Sequence, residues 1–68
     1  MTVRGVVESF DDHRGYGEVR SDGGERLFFH SVSISDGSRT IKVGTRIIGQ
    51  RRTGHLGRDE LRAIGPEA

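Results

Sequence analysis

The chain has no cysteine and only one proline in its 68 residues, and no more than 31% of it is apolar. Without cysteine, disulfides and thiolate metal ligands are unavailable, and a reducing cytoplasm is the natural setting. No apolar run is long enough for a signal peptide or a membrane span, so a soluble cytoplasmic domain without a membrane partner is expected. No helix of useful length has an amphipathic period, and no repeat or low-complexity segment interrupts the chain. Net charge is also scarce, at +1, but it is unevenly spread. Residues 1–34 carry four arginines against six acids, and residues 35–68 carry seven basic residues against four acids. Ten of the eleven basic residues are arginine, which pairs bidentately with phosphate and stacks on bases.

What is abundant is glycine, with eleven residues, and this suits a small, tightly curved β-structure with many turns. The length allows one domain, expected over residues 1–64 with a short tail at 65–68. Alternation predicts strands over Val3–Phe10, Tyr16–Arg20, Glu25–Ser31, Thr45–Arg52 and Arg58–Ile64. The first two are joined by the turn Asp11-Asp12-His13-Arg14-Gly15. The second and third are joined by Ser21-Asp22-Gly23-Gly24, a strong hairpin signal. Val32–Val43 reads as a long irregular connection with one helical turn near Val32–Ser35, and Ile34 and Ile41 plug its ends into the core. Five short strands with this long connection predict an all-β fold: a small closed five-stranded antiparallel barrel of the oligonucleotide-binding type. Closure removes the bare edges of an open sheet. The expected core is Val7, Val19, Leu27, Phe29, Ile34, Ile47, Leu61 and Ile64.

Arg14-Gly15-Tyr16-Gly17-Glu18-Val19 and Leu27-Phe28-Phe29-His30 carry most of the functional information. Side chains two apart share a face of a strand, so Tyr16 and Glu18 share one, Phe28 and His30 another, and Leu27 and Phe29 point the opposite way. Exposed aromatics on neighbouring strands suit a flat partner, and bases are the commonest one.

Gly5-Val6-Val7-Glu8-Ser9-Phe10 resembles the opening G-x-V-K-W-F of the bacterial-type cold-shock domain. The two aromatic stretches resemble that family's motifs K-G-F-G-F-I and V-F-V-H-F. The resemblance runs from Gly5 to about Ile64 and is strongest from Gly5 to Ile34. It implies a monomeric binder of single-stranded RNA or DNA, with a dimer as the alternative, with no catalysis and no cofactor, acting on RNA structure during stress or cold. By position it implies stacking roles for Phe10, Tyr16, Phe28 and His30 and a backbone contact for Arg14. Arg39 and Arg58, with Arg20 and Arg26, are expected to rim the platform as phosphate contacts.

The chain departs from the family pattern in a systematic way. Ser9 stands at the exposed Trp, Glu8 at a Lys, Glu18 at the second Phe of the first motif, and Ser31 at the last Phe of the second. In the long connection, Ser38 beside Arg39 is nearest to a further aromatic. A base–aromatic stack contributes roughly 1–3 kcal/mol, so several missing stacks imply weakened binding. Glu18 can instead accept from a cytosine or guanine amino group and shift base preference. The competing reading is a barrel repurposed for protein contact, with an exposed Ile48 in its interface. Phe29, larger than the family's Val, is expected to fill space left by Gly49.

Enzyme chemistry finds no support. His13, His30 and His55 lack ligand spacing, and Asp11-Asp12 and Asp59-Glu60 point apart on extended chain. Ser31, Ser33 and Ser35 lie near His30 without an orienting acid, and no helix follows Asp22-Gly23-Gly24 to make a phosphate loop.

Overall fold

The computed structural model of the chain describes residues 1–53 and 59–67. Its strands are β1 (Thr2–Asp11), β2 (Tyr16–Ser21), β3 (Arg26–His30), β4 (Arg46–Thr53) and β5 (Asp59–Pro66), with a 3₁₀ turn at Ser31–Ser33. They close into a barrel in the order β1-β2-β3-β5-β4. Four of the five ladders are antiparallel, as expected, but the seam between β3 and β5 is parallel. The reason is parity: strands around a ring of five cannot alternate direction throughout, so one neighbouring pair must run the same way. A parallel pair needs a long crossover, and the connection leaving β3 begins it. That connection is fixed by an Ile34–Ile64 bridge and by Ser35, whose amide and hydroxyl both donate to the Ile64 carbonyl at 2.8 Å.

The core is Val3, Val7, Val19, Leu27, Phe29, Ile34, Ile47, Leu61 and Ile64, all buried, with Phe10 and Ile41 packed against it. Every expected core residue is present, and Val3 joins them. The last strand continues through Pro66, which pairs with Ile47. Among the described residues no helix is long and apolar enough to cross a membrane.

Two expectations are corrected by the packing. Gly49 lies where the β4–β5 register shifts, opposite Ala63 at φ 53°. A Cβ on Gly49 would meet the Arg62 carbonyl and Ile64 Cγ1, each at 3.3 Å. Ile64 and the bulged backbone, not Phe29, take up the space beside Gly49. Phe29 lies under Gly17 instead, its Cζ 2.9 Å from where a Cβ would sit, and stacks on Phe10 with centroids 5.7 Å apart. Ile48, expected to be exposed, is half-buried.

On the side of the barrel where the Ser21–Gly24 turn meets β4, Arg46 donates to both carboxylate oxygens of Asp22, at 2.8 and 3.0 Å. Its Nε also donates to Glu67 at 3.0 Å, and Glu67 pairs with Arg4 at 3.1 Å. The hydrogen bond from Arg46 holds the Asp22 carboxyl below its ordinary range.

Gly17→Ala is therefore expected to cost about 1–3 kcal/mol, because its methyl meets backbone and a buried ring, and thermal unfolding will measure it. Asp22 has a lowered pKa in the folded state, so its contribution is complete above the ordinary carboxylate range, near about pH 4, and is lost as pH falls through the lowered value. Melting curves should show Asp22→Asn modestly less stable than the parent at about pH 7, the exposed pair being screened, with the gap closing as pH falls through the lowered value.

Candidate nucleic-acid interface

One register builds the site. Tyr16 pairs with His30, Gly17 with Phe29 and Glu18 with Phe28 across β2 and β3. Period-two alternation then turns Phe29 and Val19 inward and leaves Tyr16, Glu18, Phe28 and His30 outside. The outer rings touch one another. Tyr16 and Phe28 have centroids 5.5 Å apart at 33°, and Phe28 meets His30 edge-on at 4.8 Å. Gly15, at φ 76°, turns the chain into β2, and its carbonyl accepts the Ser31 amide at 2.8 Å. Ser31, half-buried beside Gly15, stands against this turn rather than in the row of rings.

The turn before Tyr16 is built by Asp11, whose Oδ1 accepts the amides of His13 and Arg14, both at 3.0 Å. This presents Arg14 to the end of the row, where its Nη1 donates to the Tyr16 hydroxyl at 3.3 Å. That hydrogen bond, with a smaller contribution from Asp11, raises the Arg14 pKa further, so the guanidinium stays charged.

The β1–β2 register shifts between Val7 and Ser9, and the extra residue is Glu8. Such a bulge resets alternation, so Ser9 faces out opposite Glu18 and Phe10 turns in opposite Gly17. Phe10, expected among the stacking residues, is thus a half-buried partner of Phe29 at the edge of the core. It still borders a depression of about 330 Å³ shared with Ser9, Tyr16, Glu18 and Phe28. Glu8 reaches Arg20 at 2.9 Å and Arg26 at 3.0 Å and holds the two arginines beside the row.

Arg39 is exposed at φ 60° on the long connection. The adjacent Thr40 donates its hydroxyl to Asp12 at 3.0 Å, which ties this loop to the β1–β2 turn. Arg58 and His55 lie outside the described residues. Among the described residues no cluster of three or more metal-ligating side chains is assembled.

The parallel seam adds residues that the motifs did not announce. Glu60 pairs with Phe28 across it and is 8% exposed. Its Oε1 accepts from Arg62 Nε at 3.1 Å and lies 3.0 Å from Arg62 Nη2, while His30 Nε2 is 3.9 Å from its Oε2. A second depression of about 540 Å³ opens between His30, Val32, Glu60 and Arg62. The spacing Glu60-x-Arg62 already put both side chains on one strand face; what was missing was that this face adjoins His30.

A closed five-stranded barrel with an outward-facing aromatic row on β2 and β3 has the architecture of the oligonucleotide-binding class. Among solved structures, the chain is similar to Drosophila Unr CSD456, with a TM-score of 0.82 and 23% identity over 100% of this chain and 27% of that one. The likeness establishes the fold, and the chain spans about a quarter of the length of that structure. No protein-family model and no curated protein matches the sequence.

Proposed function

We propose that this chain is a cold-shock-type domain that binds single-stranded RNA or DNA by stacking and backbone contacts, without catalysis. The observation that carries the reading is the contiguous row of Tyr16, Phe28 and His30 on the outer face of β2 and β3. Rings on a rigid sheet offer successive bases a sequence-tolerant surface. Arg14 at one end of the row, with Arg20 and Arg26 beside it, supplies charge to the phosphates. The likeness to the Unr structure supports the same reading. Ser9, Glu18 and Ser31 provide no ring, so affinity is lower than on a fully aromatic platform and rests more on phosphate contact.

Titration with labelled oligo(dT), oligo(dC) and mixed-sequence RNA at low salt tests this. Saturable binding in the micromolar range is expected, and failure to saturate there overturns the proposal. Phe28→Ala should weaken binding roughly 5- to 150-fold for every sequence, the equivalent of one lost stack. Glu8→Gln releases both of its arginines. Its affinity should rise, and the slope of log affinity against log salt should steepen by roughly 0.7 for each further phosphate that the freed arginines neutralise.

A further inference from the structure

Glu18 interrupts the aromatic row with a different kind of group. It lies between Ser9 of β1 and Phe28 of β3, exposed on the same face, at the rim of the depression bordered by Tyr16 and Phe28. The neighbouring acids each have a cationic partner: Glu8 has Arg20 and Arg26, Asp11 has Arg14, and Glu60 has Arg62. Glu18 has neither an ion pair nor a side-chain hydrogen bond among the described residues. Its two oxygens are available, and an ionised carboxylate only accepts.

Neighbouring strands are about 4.8 Å apart, so a base stacked on Phe28 with one edge toward β2 brings that edge to the Glu18 carboxylate. Ser9, small and next in the same row, leaves the space above the carboxylate open. The bases differ sharply in what they present there. Guanine offers N1–H and the 2-amino group side by side, two parallel donors for two acceptor oxygens. Cytosine and adenine offer one amino group beside a ring-nitrogen acceptor, which opposes the second oxygen. Uracil and thymine offer one N–H between two carbonyls, the least favourable edge.

We infer that Glu18 makes this face selective for guanine in single-stranded nucleic acid, with the carboxylate reading the N1–H and 2-amino edge of a base stacked on Phe28. The inference rests on the nucleic-acid reading above and assigns its base preference. Unpaired, Glu18 repels phosphate and weakens binding to every sequence; a guanine at this subsite returns two charge-assisted hydrogen bonds.

The test uses RNA heptamers of uridine whose central base is guanine, inosine, cytosine or uracil, measured by fluorescence anisotropy. Guanine should bind about 10-fold or more tightly than uracil, a bidentate pair's worth of discrimination, with inosine between because it lacks the 2-amino group. Glu18→Gln, which swaps one acceptor for a donor and removes the charge, should abolish the guanine preference while tightening binding to the all-uridine heptamer. Equal affinity for guanine and uracil, or a guanine preference that survives in Glu18→Gln, overturns the inference and leaves the nucleic-acid reading standing. Absence of binding to all four heptamers removes that reading and this inference with it.

Discussion

The outer face of β2 and β3 depends on where Phe29 goes. This ring is fully buried, stacked on Phe10 and roofed by Gly17, and among the described residues no other side chain of its size is so completely enclosed. Because a strand alternates, burying Phe29 obliges Phe28 and His30 to face outward. Pairing Gly17 over the ring obliges Tyr16 and Glu18 to do the same on β2. A slip of one residue would exchange the faces, placing Glu18 and His30 in the core and Phe29 in water. The outward-facing row is therefore the reverse side of the core. Its geometry is held by the burial of an aromatic ring, worth several kcal/mol in a domain this small, rather than by contacts among the outer rings themselves.

Parity supplies the second constraint. Closing five strands requires one parallel pair, and placing it between β3 and β5 sets Glu60 and Arg62 against Phe28 and His30. The row of rings is thus bounded on one side by a bulged strand carrying Glu8 and Ser9, and on the other by a buried carboxylate held by arginine. Both borders follow from closing the barrel. An open sheet of the same strands would leave β3 with a bare edge beside its aromatics.

These constraints explain what the sequence could and could not disclose. Alternation from Val3 to Phe29 and the Asp22-Gly23 turn located the first three strands, because those signals are local. The Tyr16, Phe28 and His30 row was legible for the same reason, its two strands being joined by a short turn. The contact of Phe10 with Phe29 was not legible because one inserted residue at Glu8 reverses alternation, and nothing local marks which residue is extra. Gly49 was matched to Phe29 by size, although the bulge at Ala63 brings Ile64 and the Arg62 carbonyl to it instead. Glu60 was legible only as a neighbour of Asp59, since Phe28 and His30 reach it from β3 and adjacency across a crossover leaves no local pattern.

The charges on the face divide in the same manner, and this separates affinity from selectivity. Glu8 looks repulsive in sequence, yet it stands between Arg20 and Arg26, so the three groups together carry one positive charge. Exposed ion pairs of this kind contribute only about 0–1 kcal/mol. Arginine also presents five N–H donors, so a carboxylate that takes one of them leaves others for a phosphate. Glu60 is likewise neutralised by Arg62. Glu18 alone among the described acids bordering Phe28 has no such partner. Stacking on Phe28 and attraction to phosphate are blind to sequence. Under the proposed reading, the carboxylate at the centre of the row is an acceptor that meets a base edge without first breaking an ion pair.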